Sequence, residues 1–171
     1  AICVFLRDYL QQAGAIVFLT REGDQDLADD STKGLSRRKT QDLHRRGDLI
    51  DEKNADLILS VHLNSFPSSK YAGAQTFYYP KGHLANKRLA QIIQEQFKKE
   101  LGSTREIKPI HDFYLLKISE QPGALVEVGF LSNPNESELL QKKGYQQKIA
   151  HSIYHGIMRF QQEQFGDDTS K

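Results

Sequence analysis

Two residues have the types and the setting for hydrolytic chemistry. His62 lies in Leu57-Ile-Leu-Ser-Val-His62-Leu-Asn64-Ser65, and Glu127 lies in Gly123-Ala-Leu-Val-Glu127-Val-Gly-Phe-Leu-Ser132-Asn133. Each segment is an apolar run that predicts a buried strand and ends in polar residues. A histidine and a carboxylate at the ends of neighbouring core strands suit a metal-assisted hydrolase, with imidazole on the metal and carboxylate moving protons. Glu127 is the stronger signal. Glutamate is rarely buried unless it is paired or functional, and burial without a partner raises its pKa, as a general base near neutrality requires. Each residue also has a purely architectural role open to it. His62 could be a hydrogen-bonded residue at a strand end, and Glu127 could pair with Arg37, Arg38, Arg45 or Arg46.

Other groups carry less. His151 and His155 stand at i, i+4, a spacing that can clamp zinc. No glutamate follows the first of them as in a helical metalloprotease motif, and isoleucines make the buried face of that helix, so the pair is expected to be inert. The basic run from Arg37 to Arg46 is interleaved with Asp42 and has no aromatic residue for base stacking, which favours a solvated helix face over a nucleic-acid site. With a net charge of +1, the chain has no global field to draw it to nucleic acid or anionic membrane. No apolar stretch reaches spanning length, so no transmembrane segment is expected. Cys3, the single cysteine, falls on the apolar side of a helical pattern and reads as a buried free thiol.

The elements that must position His62 and Glu127 follow from periodicity. Ile2, Phe5, Leu6, Tyr9, Leu10 and Ala13 form a helical stripe that Gly14 stops. Because the chain opens inside this helix, it is expected to be a piece of a larger protein. Ala15 to Thr20 predicts a buried strand, residues 22 to 36 an exposed loop, and Ser36 to Asn54 a basic helix. Strands follow at Leu57 to His62, Ala74 to Tyr79 and Leu125 to Phe130. Leu89, Ile92, Ile93 and Phe97 repeat at helical spacing within Leu84 to Leu101, and residues 102 to 111 predict a loop. Ile149, Ile153, Ile157 and Phe160 define the buried face of a C-terminal helix, with a break expected at Lys143-Gly144. Alternating helices and apolar strands predict a single α/β domain over residues 1–165, built on a twisted, mostly parallel sheet with helices on both faces, followed by a polar tail at 166–171. In such sheets ligands bind beyond the carboxyl ends of the strands.

The order of motifs resembles the zinc-dependent N-acetylmuramoyl-L-alanine amidases. It is carried by Thr20-Arg21-Glu22, Leu43-His-Arg-Arg46, Asn54-Ala-Asp-Leu-Ile-Leu-Ser-Val-His-Leu-Asn-Ser65, Gly73-Ala74, Asp112-Phe-Tyr-Leu-Leu116 and Pro122-Gly-Ala-Leu-Val-Glu-Val-Gly-Phe-Leu-Ser-Asn-Pro134. The likeness spans nearly the whole chain and is greatest to the germination-specific, spore-cortex members. It implies one catalytic zinc held by two histidines and a glutamate, with His62 matching the second histidine and Glu127 the catalytic glutamate. The first histidine, in a Gly-His-Gly-Gly motif after the first strand, and the glutamate ligand would lie upstream of Ala1, so that strand is expected to be missing here and the chain by itself to be inactive. Asp51 departs from the family's usual asparagine. The implied substrate is the peptidoglycan amide between N-acetylmuramic acid and L-alanine, in an extracytoplasmic wall or spore cortex, with room for a protein activator. The competing expectation is a catalytically incomplete remnant that binds glycan or a partner.

Overall fold

The computed structural model describes residues 1–166; the remaining five residues of the expected polar tail lie outside the described residues. In chain order the elements are α1 (Ile2–Gln12), α2 (Leu35–Lys53), β1 (Ile58–Asn64), β2 (Gln75–Tyr78), α3 (Asn86–Leu101), β3 (Lys108–Pro109), α4 (Tyr114–Ile118), β4 (Gly123–Phe130), α5 (Pro134–Gln141) and α6 (Lys143–Phe165). The four strands form one sheet in the order β1-β4-β2-β3. β1 runs parallel to β4 and β2 parallel to β3, while β2 and β4 are antiparallel. The sheet is therefore mostly parallel, and helices cover both of its faces.

Strand periodicity sorts the core into two layers. On one face Ala124, Val126 and Val128 of β4 pack with Leu6 and Leu10 of α1, Leu89, Ile93 and Phe97 of α3, and Ile149 and Ile153 of α6, with Leu57, Leu59 and Val61 joining from β1 and the residue before it. On the other face Ile58 packs with Ile50 of α2 and Leu115 of α4, flanked by Leu43 and Phe113. The isoleucine stripe of α6 is buried as its spacing requires, with Ile149 and Ile153 fully enclosed. Cys3 is half-buried, and desolvation pushes its thiol pKa up.

A polar device holds β2 to α3. Buried Gln94 accepts a hydrogen bond from the Thr76 amide at 2.8 Å and donates to the carbonyls of Ala74 and Arg105 at 3.1 and 3.0 Å. One side chain thus satisfies the buried Thr76 amide and bonds two carbonyls, sharing that of Ala74 with Ser103 Oγ.

Three expectations need correction. Ala15 to Thr20 forms no strand: Ile16 and Phe18 are exposed, and only Val17 packs against the core. An apolar run becomes a strand only with a ladder partner, and none of the four strands pairs with it. Residues 102–111 are not all loop, because Lys108–Pro109 adds a short parallel strand beside β2. The helical break falls at Lys142, whose extended backbone (φ −80°, ψ 121°) ends α5 and starts α6, and Gly144 lies within α6. The short helix α4 has no clear helical stripe in five residues and was not foreseen.

Candidate active site

His62 and Glu127 are register partners across the β1–β4 pair, so the two residues stand side by side. Alternation fixes the face they share. Ile58, two pairs back from His62 on β1, belongs to the α2/α4 layer, and the His62 ring meets Phe113 edge-on at 5.6 Å between centroids. Glu127 alternates with Val126 and Val128, which face the opposite layer. The pair therefore points to the α2/α4 side, near the carboxyl ends of two parallel strands. The register slips between His62 and Asn64, and the strand ends are then tied by hydrogen bonds from the Leu131 amide to the Asn64 carbonyl and from the Phe66 amide to Ser132 Oγ.

The electrostatics of the two residues are complementary. Burial alone raises the Glu127 pKa. Its Oε2 is enclosed and has no hydrogen-bond partner, and among the described residues no arginine pairs with it. Three of the four arginines that could have done so are engaged elsewhere, and Arg37 is exposed. Arg38 holds Asp26, Arg45 holds Asp29 and the Leu27 carbonyl, and Arg46 holds Asp42 and Thr20 Oγ1. Arg38 and Arg45 of α2 thus clamp the preceding loop, while Arg37 and Lys39 stay exposed. His62 is exposed on its open side, yet its pKa is lowered, first by desolvation against the protein and then by the positive charges of Arg46 and Arg21. Ser60 Oγ and His62 Nε2 are hydrogen-bonded at 2.9 Å, and Nδ1 has no partner among the described residues. A neutral imidazole with an uncommitted nitrogen, beside a carboxylate oxygen that lacks a donor, is a donor set that fits a divalent cation and a water.

A second constellation was not legible as a site. Glu100, near the end of α3, meets His151 and His155 of α6, and the ligand atoms of all three lie within 4.8 Å of one another. The histidine spacing was visible in the sequence. Glu100, about fifty residues away, carried no signal of its own.

A histidine and a glutamate thus stand side by side near the carboxyl edge of two parallel strands, where α/β sheets bind their ligands. The chain belongs to the N-acetylmuramoyl-L-alanine amidase family, whose model matches residues 2–159. It is 52% identical over 156 residues to the germination-specific N-acetylmuramoyl-L-alanine amidase of Bacillus subtilis (strain 168), an alignment covering 91% of this chain and 65% of that protein. It is 34% identical over 119 residues to the N-acetylmuramoyl-L-alanine amidase LytC of the same strain, covering 69% of this chain and 24% of that one. The fold superposes on the CwlD amidase from Clostridioides difficile, solved in complex with the GerS lipoprotein, with a TM-score of 0.91, 40% identity, and coverage of 95% of this chain and 83% of that one. The chain thus spans less than two thirds of the length of the two curated relatives.

Proposed function

We propose that this protein is a peptidoglycan hydrolase that cleaves the amide between the lactyl group of N-acetylmuramic acid and the L-alanine of the stem peptide. Family membership supports the reaction, and one observation supports the roles: the orphaned Glu127 Oε2 stands beside His62 with no protein donor to satisfy it. His62 is the imidazole this chain would contribute to a zinc ion. When bound, zinc polarises the scissile carbonyl and makes water a stronger acid. Glu127 does the proton work. Its carboxylate takes a proton from water as the water oxygen bonds to the amide carbon, then returns that proton to the alanine nitrogen as the C–N bond breaks. Burial raises the carboxyl pKa and so brings it closer to the value at which both transfers are efficient. The 52% identity to a germination-specific amidase supports a role in the spore cortex, outside the cytoplasm. The similarity to an amidase solved in complex with a lipoprotein supports a protein partner.

The test is digestion of purified cortex peptidoglycan, with released peptides identified by mass spectrometry. It is run on the 171-residue chain and on a form extended before Ala1 by the Gly-His-Gly-Gly strand and first helix start of a relative. Stem peptides with free L-alanine amino termini are expected from the extended form and not from its Glu127→Gln variant. Release of glycan fragments with intact stems, or no release from either form, refutes the reading.

A further inference from the structure

α3 and α6 pack antiparallel and very closely. A Cβ at Gly156 would sit 2.9 Å from Ile93 Cγ1 and 3.1 Å from its Cα, so only glycine permits this approach. The outer seam of the pair is laced by ion pairs in antiparallel order: Arg88 with Glu163, then Glu95 with Arg159. The next rung is of a different kind. There Glu100 faces two imidazoles in place of one cation. His155 Nδ1 lies 2.8 Å from Glu100 Oε1, and His151 Nδ1 lies 3.9 Å from Oε2. The two rings meet edge-on with centroids 4.1 Å apart, and Tyr9 of α1 packs edge-on against His151 at 5.5 Å.

An ordinary helix-to-helix ion pair accounts for His155 but gives His151, packed on Tyr9, no hydrogen-bond partner among the described residues. At 3.9 Å its nitrogen is beyond hydrogen-bond reach of the carboxylate, yet it is aimed at the second oxygen of the same group. We propose that Glu100, His151 and His155 form a binding site for a borderline divalent transition cation, of which zinc is the type. Ligand atoms on a tetrahedral zinc stand roughly 3.3 Å apart, given bonds of 2.0–2.2 Å. The observed spread, from 2.8 Å to within 4.8 Å, closes on that value with small rotations of exposed side chains. Two imidazoles and one carboxylate favour zinc, nickel, cobalt or copper over magnesium and calcium, which prefer all-oxygen shells. Three protein ligands leave a fourth position, and His151 lines a shallow cleft with Tyr9, Gln12, Ala13 and Tyr154 through which water reaches it.

This site shares no residue with the His62–Glu127 pair. It sits on the α3/α6 layer, whereas His62 and Glu127 face α2 and α4, so the sheet separates the two. Its effect is mechanical: a cation here joins the end of α3 to the middle of α6, next to α1.

The experiment titrates Zn²⁺ alone into the 171-residue chain carrying His62→Ala, by calorimetry and by thermal melting. One equivalent is expected to bind, and Tm is expected to rise by about 5–10 °C at a hundredfold excess over Kd. Glu100→Gln preserves an acceptor for His155 but removes the charge, and it is expected to weaken binding at least tenfold. His151→Ala with His155→Ala is expected to abolish saturable binding while the metal-free melt stays within a few degrees of the parent, because neither side chain is part of the buried core. Mg²⁺ is expected to leave Tm unchanged. Absence of saturable zinc binding in the His62→Ala chain overturns the proposal. So does an affinity indifferent to loss of both histidines, or a Mg²⁺ shift equal to that of Zn²⁺.

Discussion

Replacing Glu127 by glutamine separates a carboxylate kept for chemistry from one kept for the fold, because the two roles predict opposite changes in stability. Burial raises the Glu127 pKa, and no hydrogen bond or ion pair opposes it. Between the unfolded and folded pKa values the native state therefore binds more protons than the unfolded chain. The corresponding stability is fully present below the unfolded pKa, is lost as pH rises through the folded pKa, and does not return above it. Above that window the ionised Oε2 is buried without a donor, a defect that costs about 1–3 kcal/mol. Glutamine keeps the shape and part of the desolvation cost, and one edge of the group reaches solvent, so the net gain is about 1 kcal/mol. For a chain of this length that is a Tm rise of about 2–4 °C. Calorimetric melts at pH 8 are expected to show this gain, and melts near pH 3, well below the ordinary glutamate range, are expected to show none. In the form extended before Ala1, the same substitution is expected to cut release of stem peptides by about 100-fold or more. A variant that melts several degrees lower at pH 8 and still releases peptides at the parental rate would make Glu127 a structural group and refute its role as the base.

Three further expectations follow from particular contacts. Arg46→Met removes a positive charge that helps hold the His62 pKa down, so the imidazole should titrate at higher pH in an NMR pH series; an unchanged midpoint would leave burial and Arg21 as the whole cause. Gln94→Leu strands the buried Thr76 amide and removes one of the two donors to the Ala74 carbonyl, at a cost of about 1–3 kcal/mol, seen as a lowered midpoint in urea. Extending the chain before Ala1 with the relative's strand and helix start should raise zinc affinity in a His151→Ala, His155→Ala background at least a hundredfold by calorimetry, because His62 would then have the additional ligands that hydrolytic zinc sites use.

Legibility tracked how local the information was. The α6 face was plain, because Ile149, Ile153, Ile157 and Phe160 repeat within one helix and all four are buried. The pairing of His62 with Glu127 was half legible. Each strand announced itself by its apolar run, but that β1 and β4 are neighbours, with these two residues in register, depends on a sheet order that no local pattern encodes. Ala15 to Thr20 shows the converse failure: Val17, Phe18 and Leu19 have the composition of a strand, yet a strand exists only where another supplies its hydrogen bonds. Glu100 was invisible for a related reason. Its meaning comes from α6, and the clue that α6 would arrive there was Gly156, a helix-interior glycine set between Ile153 and Ile157, which marks a close helix approach without naming the partner.

The parity of β4 keeps the two histidine–carboxylate groups apart. Ala124, Val126 and Val128 commit one face of the strand to the α1/α3/α6 core, and that commitment forces Glu127 to the other side. Moving Glu127 by one position would drive a carboxylate into the wholly buried α3/α6 layer and put a valine beside His62. The same parity on β1 sends Leu59 and Val61 to the core and leaves Ser60 and His62 facing α4. The candidate active site is thus held in place by the hydrophobic residues between its members. A volume change at Val126 or Val128 should disturb the Glu127 carboxylate through the strand without touching it, whereas Leu59 and Val61, half-buried at the edge of the sheet, have more room to yield.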